Sequence, residues 1–238
     1  MSFLTRTMPD GTRALYEWFG AMHTRVDILR RSSAYDYDYL RDTVGIMRQE
    51  ICEIEKTGNR FDPTSEVSRL NALPAGVKHT LSPRLYDILT LCLRYNKQTE
   101  GLFDITVQSK GHSPQSIGGI HIDSDGTYSR DSENIVIDLS GFLKGYALDR
   151  VRPVLEERGI TDALVNMGNS SIMAMGDVPG PVRNACLTTS GNDSPDLCHI
   201  VNPLTGEMIR GKRQVQVVTN SGAEGEAEST RRFISCCL

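Results

Sequence analysis

One stretch of the chain combines residue types that can bind an anion. Residues 135–139 form an apolar run with β-branched members, which predicts a buried strand. A turn of small residues at Ser140 and Gly141 follows, and apolar residues then recur at helical spacing. Lys144 falls in the first turn of that helix, where main-chain N–H groups and an ammonium group together suit a phosphate. The alternative is an ordinary strand-to-helix connection with a solvated lysine.

Two oxygen-bearing side chains near the end of the chain form a second candidate. Residues 224–237 are predicted to be helical, so Glu226 and Thr230, four residues apart, would lie on one face. Taken alone, such a glutamate is usually a solvated surface carboxylate, and such a threonine usually bonds the backbone of its own helix. Their chemistry therefore depends on what the rest of the chain places beside them.

Hydrophobic periodicity predicts the elements that must position these residues. Apolar residues at steps of three and four predict a helix over residues 36–57. Ser82 and Pro83 give an N-cap and an N1 proline for a helix that ends near residue 99. Strands are predicted around residues 26–28, 102–107, 119–122, 163–167, 171–175, 186–189 and 214–219, the fourth and fifth as a hairpin, and residues 199–206 are predicted to form a short strand and a turn. We therefore expect one mixed domain of α+β type over residues 1–238.

Composition and charge narrow the classes of function. With 39% hydrophobic and 24% charged residues, the chain has the balance of a soluble globular protein. A net charge of −4 argues against nucleic acid as the main partner. The six cysteines form no CxxC pair and have no histidine at zinc-finger spacing, so we expect neither a metal cluster nor a disulfide framework. Residues 1–10 contain no long apolar segment, which predicts no signal peptide and no stable membrane insertion and favours a cytoplasmic location.

Short motifs occur in a definite order over nearly the whole chain. They are Met22-His-Thr24 and residues 65–71 (SEVSRLN), 101–107 (GLFDITV), 137–149 (IDLSGFLKGYALD), 165–168 (VNMG), 189–191 (TSG), 199–206 (HIVNPLTG) and 226–230 (EAEST). Each motif is weak alone. The set in this order resembles the FAD:protein FMN transferases, the ApbE family.

The resemblance implies a specific reaction. Enzymes of this family bind FAD and Mg²⁺, transfer the FMN half to a threonine or serine hydroxyl of an acceptor protein, and release AMP. It also implies a single domain with mainly antiparallel sheets flanked by helices. Family members are usually exported, which leaves the cytoplasmic expectation open. The chemistry suits the residues, because phosphoryl transfer needs charge neutralised on the phosphate oxygens and Mg²⁺ prefers oxygen ligands.

Site residues are implied position by position. The metal ligands would be the main-chain carbonyl of Gly141 and the side chains of Glu226 and Thr230. Lys144 would face the phosphates of the nucleotide, and His199 would position the phosphate or the incoming hydroxyl. The contacts with the flavin nucleotide would come from Met22, Ser65, Asp104, Lys144 and Ile200.

The sequence departs from the family's pattern in three places. Glu226 stands where the family has an aspartate, and residues 168–170 (GNS) stand where it has Gly-Gly-Asp. About a dozen residues (176–187) replace a tryptophan-containing hairpin, and the chain's single tryptophan is Trp18. A shorter wall around the nucleotide would admit water more easily.

Three hypotheses therefore stand. The first, which we favour, is a flavin transferase acting on a partner protein, because Lys144, Asp104, His199 and Thr230 occur together. The second is a metal-dependent FAD pyrophosphatase that gives FMN and AMP. The third is a non-catalytic flavin-binding protein.

Overall fold

Runs of strands are separated by helices in the computed structural model, which describes residues 2–192, 194 and 198–236. The strands are β1 (Ser2–Thr7), β2 (Arg13–Ala21), β3 (Thr24–Ser32), β4 (His79–Thr80), β5 (Ile120–Ile122), β6 (Thr127–Arg130), β7 (Asp162–Met167), β8 (Ser171–Met175), β9 (Ala185–Asn192) and β10 (Arg213–Thr219). The helices are α1 (Tyr37–Gly58), α2 (Glu66–Ala72), α3 (Pro83–Gln98), α4 (Leu143–Glu157) and α5 (Gly222–Ser235). The predicted α+β class, with mainly antiparallel sheet, is confirmed.

The described residues form two compact units, each assembled from several segments. The first unit consists of residues 2–53, 144–189 and 216–226. The second consists of residues 54–143, 190–215 and 227–236, as far as these are described.

Alternating apolar residues give the strands of the first unit one buried face. The seven-stranded sheet has the order β1-β2-β3-β7-β8-β9-β10, and the pairs from β1 to β9 are antiparallel. Leu15 on β2, Ile28 on β3 and Val165 on β7 are fully buried, and Ile28 and Val165 are cross-strand partners. Leu40 and Met47 of α1 are also fully buried, as the predicted helical periodicity requires.

Two helices, α1 and α3, start at side-chain caps close to the positions that the sequence predicts. Asp36 precedes α1, and its Oδ1 accepts from the N–H of Tyr39 at 2.8 Å. Ser82 caps α3 by accepting from the N–H of Leu85 at 3.2 Å, and Pro83 is the first helical residue. Both arrangements satisfy N–H groups that have no partner inside their helix.

The second unit contains the three-stranded sheet β4-β6-β5. The strand predicted at residues 135–139, in the same unit, does not form. Residues 135–139 alternate in burial as a strand would, but their backbone does not join a ladder. The side chain of Asn71 instead bonds both the N–H and the carbonyl of Ile137 at 2.9 Å. Asp138 donates its N–H to the carbonyl of Ile105 at 2.8 Å. The strand prediction was wrong because side chains and a loop satisfy this backbone.

Two further strand predictions need correction, and two strands were not predicted. Residues 102–107 are turns, because Oδ1 of Asp104 accepts from both the N–H and the hydroxyl of Thr106 at 2.6 Å. Residues 199–201 contribute only the isolated bridge between Val201 and Met208. The sequence also gave no signal for β1, all of whose residues are exposed, or for β2. The first predicted strand, around residues 26–28, lies within β3.

The last helix begins slightly earlier than predicted. It starts at Gly222 and ends at Ser235, whereas the predicted end at Cys237 lies outside the described residues. In the described part of the chain, no helix combines the length and the apolar character needed to cross a bilayer.

Candidate functional site

The turn before α4 is built by side chains of its own unit. Oδ1 of Asp138 accepts from the N–H of Ser140 at 2.9 Å and from its hydroxyl at 2.6 Å. The other carboxylate oxygen lies 3.0 Å from Nε of Arg60. Gly141 is exposed in this turn, and α4 begins two residues later. Lys144 is therefore in the first helical turn, as the sequence predicts.

Short polar contacts in the first unit join the start of α4 to α5 and to the turn between β7 and β8. The ammonium of Lys144 donates to the hydroxyl of Ser170. The hydroxyl of Ser171 donates to Oε1 of Glu226 at 2.5 Å, and the main-chain N–H of Gly145 also bonds the carboxylate. These five residues, called the α4–α5 cluster below, bring together an ammonium, two hydroxyls and a carboxylate.

The carboxylate of Glu226 is the chemically unusual group of this cluster. The residue is buried on α5, with 5% exposure. Burial raises the pKa of Glu226 to about 7, although the hydrogen bond from Ser171, the ammonium of Lys144 and the N–H of Gly145 all lower it. Asp149 adds a smaller increase to this pKa. A cation beside the group would favour the ionised form.

Two glycines allow α4 and α5 to approach closely enough to form the cluster. A Cβ on Gly145 would lie 2.2 Å from the carbonyl oxygen of Gly222 and 2.5 Å from Cγ of Glu226. A Cβ on Gly222 would lie 2.4 Å from the carbonyl oxygen of Gly145. Any side chain at either position would push the helices apart, so the contact between Gly145 and Glu226 depends on both glycines.

The tip of the β2–β3 hairpin lies against the β7–β8 turn. Met22 and His23 form its two-residue turn with φ values of 51° and 56°, which non-glycine residues rarely adopt. Gly168 donates its N–H to the carbonyl of Arg25 at 3.0 Å, and a Cβ on Gly168 would lie 2.2 Å from Oγ1 of Thr24. Met22 therefore lies in the same unit as the α4–α5 cluster, in a strained turn of the kind that is common at functional sites.

Asp104, a predicted nucleotide contact, is engaged by neighbours in the second unit. Besides its two bonds from Thr106, its Oδ2 lies 3.8 Å from Nε2 of His112, and both side chains are buried. Burial raises the pKa of Asp104, while the bonds from Thr106 and the charge of His112 lower it. His112 Nε2 also lies 3.2 Å from the carbonyl oxygen of Pro203.

The remaining predicted residues of the second unit occupy varied environments. Ser65 is buried and caps α2, accepting from the N–H of Ser68 at 3.1 Å. Ile200 is half-buried and packs against a small apolar cluster, whereas His199 is exposed. The hydroxyl of Thr230, one turn after Glu226 on α5, lies 3.3 Å from that of Ser190.

The donor set suits Mg²⁺ by its chemistry. Within the described residues, no three or more histidine, cysteine, aspartate and glutamate side chains are grouped so that they could hold a metal. A carboxylate, a hydroxyl and a carbonyl are nevertheless hard oxygen donors, and Mg²⁺ commonly uses few protein ligands and completes its shell with substrate phosphate and water. The raised pKa of Glu226 shows that ionising this buried carboxylate is costly. A divalent cation beside it would lower that cost.

Comparison with known proteins decides the family. The sequence model of the ApbE family matches residues 22–113 and 112–235, and therefore most of the chain. The chain belongs to the ApbE family. Its sequence is 24% identical to an FAD:protein FMN transferase of Rhodobacter capsulatus, over 95% of this chain and 52% of that protein. The chain thus spans about half the length of this curated relative.

Solved structures of ApbE proteins show the same fold. The flavin transferase ApbE of Vibrio cholerae superposes with a TM-score of 0.80 at 19% identity, covering 94% of this chain and 87% of that one. An ApbE protein of Thermotoga maritima gives a TM-score of 0.79 at 19% identity, with the same coverage.

The α4–α5 cluster contains two of the residues that the sequence predicts for the site and three that it does not. Lys144 and Glu226 belong to one cluster, as the motifs imply. Sequence reasoning missed the roles of Gly145, Ser170 and Ser171. Ser170 occupies a departure from the family's Gly-Gly-Asp pattern, and this departure was the available signal. The ligand roles of the predicted residues stay predictions.

Proposed function

We propose that this ApbE-family protein is an FAD:protein FMN transferase that needs Mg²⁺. The observation that carries the proposal is the α4–α5 cluster, in which the family's motif lysine, Lys144, lies beside a buried carboxylate, Glu226. The substrates are FAD and an acceptor protein with a reactive threonine or serine. The curated relatives of this chain bear the name of this activity.

The residues divide the work according to their chemistry. Lys144, at the positive end of α4, binds the phosphates of FAD and offsets their charge. Met22, Ser65, Asp104 and Ile200 contact the flavin nucleotide. Mg²⁺, held by Glu226 and by the predicted ligands Gly141 and Thr230, would neutralise charge on the transferred phosphoryl group. His199 orients the phosphate or the acceptor hydroxyl.

The reaction is a displacement at phosphorus. The acceptor hydroxyl oxygen forms a bond to the phosphorus of the FMN half, and the bond from that phosphorus to the bridging pyrophosphate oxygen breaks. AMP leaves with the bridging oxygen, and the hydroxyl proton is released to solvent or to a nearby base. No redox change occurs, so FAD, the acceptor and the metal suffice.

The test follows both products. The purified chain is incubated with FAD and Mg²⁺, with and without protein extract from cells that make this chain, and AMP and FMN are measured by chromatography. With Mg²⁺ we expect AMP and a polypeptide whose flavin fluorescence persists through denaturing electrophoresis. With EDTA in place of Mg²⁺ we expect neither product. If the reaction with Mg²⁺ and extract forms no AMP and all of the FAD remains intact, the proposal is contradicted.

A matched pair of α4 variants controls for non-specific loss of charge. Lys144→Met removes the cluster ammonium, whereas Arg150→Met removes an exposed charge whose partner is Glu50 at 3.3 Å. We expect the first to lower the rate on the order of 10²-fold, because one electrostatic group facing the reacting phosphate is lost, and the second to leave it unchanged. Equal rates for the two variants would argue against the role of Lys144.

The pyrophosphatase alternative has one structural observation in its favour. The connection between β8 and β9 spans only residues 176–184, and most of these residues are exposed. If water replaces the acceptor hydroxyl, free FMN and AMP would form in equal amounts without any extract. The same chromatogram therefore separates the two activities, and FAD binding without either product would indicate a non-catalytic flavin-binding protein.

A further inference from the structure

The carboxylate of Asp149 caps a helix other than its own. Asp149 lies on α4, and its Oδ1 accepts from the N–H of Gly222 at 2.6 Å. Its Oδ2 accepts from the N–H of Ala223 at 2.9 Å and from the hydroxyl of Ser221 at 2.7 Å. Gly222 and Ala223 begin α5, and such N–H groups have no partner within their own helix. Three donors therefore converge on one carboxylate.

These bonds determine where α5 begins relative to α4. Gly145 lies one turn before Asp149 on the same face of α4, and Glu226 lies one turn after Gly222 on α5. Gly145 packs against Gly222 without room for a side chain and bonds the Glu226 carboxylate through its N–H. Two adjacent turns of α4 thus hold two adjacent turns of α5.

We propose that Asp149 is a positioning residue for the metal-dependent step. It fixes the register of α5 against α4 and thereby places the carboxylate of Glu226 within the α4–α5 cluster. Asp149 acts through Glu226, because its own oxygens are occupied by the start of α5. The activity part of this inference rests on the proposed transferase function, which it deepens.

Substitution of Asp149 tests this role. Asp149→Asn keeps the size of the side chain but turns an N–H donor toward the donors of α5, and Asp149→Ala removes both acceptors. We expect the Mg²⁺ concentration for half-maximal AMP release to rise about 10–100-fold, the range found when residues that orient metal ligands are lost. The rate at saturating Mg²⁺ should fall much less.

A cap in the same unit provides the matched control. Asp36→Ala removes the cap of α1, where one carboxylate oxygen accepts from Tyr39 at 2.8 Å. It should lower the midpoint of thermal unfolding while leaving the half-saturating Mg²⁺ concentration unchanged. Ser221→Ala removes one of the three bonds to Asp149 and should shift that concentration in the same direction by a smaller factor. If Asp149→Ala does not fold, Ser221→Ala is the variant that tests the inference.

A second readout does not depend on turnover. Binding of Mn²⁺ is measured by electron paramagnetic resonance in the presence of FAD, and is corrected for the folded fraction. Asp149→Asn should weaken Mn²⁺ binding by about the same factor, as expected for a lost orienting residue. Unchanged Mn²⁺ affinity and unchanged Mg²⁺ dependence would overturn the inference. If Mn²⁺ binding weakens as expected but the unaltered protein forms no AMP, the proposed function fails and the positioning role stands.

Discussion

Two buried carboxylates, one in each unit, differ in how the chain surrounds them. Glu226 is held by residues from α4 and by the first residue of β8, that is, by chain segments far from it in sequence. Asp104 is held mainly by Thr106, two residues away, and faces His112 from the same region. Burial raises the pKa of both groups.

This difference distinguishes an arrangement built by several parts of the fold from one built by neighbouring residues. Local bonds such as those from Thr106 shape a turn and can form wherever an aspartate precedes a threonine by two residues. Bonds from several elements require the whole first unit to fold. The burial that accompanies them outweighs the lowering effect of Lys144 and the hydrogen bonds, so the pKa of Glu226 stays raised. We therefore expect the two carboxylates to respond differently to substitution, pH and metal.

The largest expected effect comes from removing the Glu226 carboxylate. Glu226→Ala should lower Mg²⁺-dependent AMP release on the order of 10²–10³-fold, because the proposed Mg²⁺ site would lose its charged ligand. Glu224→Ala changes an exposed residue in the first turn of α5, two residues before Glu226; it is the control and should retain the activity. Equal activity of both variants would show that Glu226 is not part of the site. The two carboxylates, Glu226 and Asp104, would then not differ in function.

The pH dependence of stability should follow Glu226. Its pKa is about 7 in the folded protein and near 4.5 when unfolded, so the folded state holds a proton that the unfolded state has lost between these values. The free energy of unfolding of the metal-free protein should therefore fall by roughly 2–3 kcal/mol from pH 5 to pH 8 relative to Glu226→Gln. Chemical unfolding at both pH values measures this difference, and parallel pH profiles for the two proteins would contradict it.

A side chain at the helix contact should damage both stability and metal dependence. Gly145→Ala places a Cβ 2.2 Å from the carbonyl oxygen of Gly222, so the free energy of unfolding should fall by about 1–3 kcal/mol. The half-saturating Mg²⁺ concentration should rise as well, because Glu226 is displaced. In Gly45→Ala, the matched change on α1, the Cβ meets no atom within 4 Å and should not destabilise. Similar results for both variants would show that the helix contact is not critical.

The smallest effect on metal dependence is expected at Asp104. Asp104→Ala leaves the buried N–H and hydroxyl of Thr106 without their acceptor, so unfolding should become easier by about 1–3 kcal/mol. The half-saturating Mg²⁺ concentration of the folded fraction should not change. Asp104→Asn keeps the acceptor oxygen for Thr106. A higher KM for FAD in this variant would support the predicted nucleotide contact and sharpen the role of Asp104.

Much of the fold could be predicted where the signal is local. The apolar spacing of α1 and the Ser82-Pro83 start of α3 are properties of neighbouring residues, and both helices occur as predicted. The β7–β8 hairpin has alternating residues on either side of a short polar turn, which is also a local pattern. The order of the motifs further identified the family, because it depends on sequence alone.

Strand predictions failed where a side chain, distant or nearby in sequence, bonds the backbone in place of a neighbouring strand. An apolar run such as residues 135–139 predicts a strand only if another strand is available, and here Asn71 takes that place. The run at 102–107 contains its own turn former, Asp104, whose bonds to Thr106 outweigh the β-propensity of the apolar residues.

The sequence by itself determined the family, the α+β class and the presence of Lys144 at the start of a helix. Only the tertiary structure decided that Glu226 is buried, that Ser171 and Gly145 hold it, and that Asp149 caps α5. The physical reason is that a carboxylate's burial and pKa depend on residues from several segments, whose approach is set by the packing of Gly145 against Gly222. No periodicity along the chain encodes that approach.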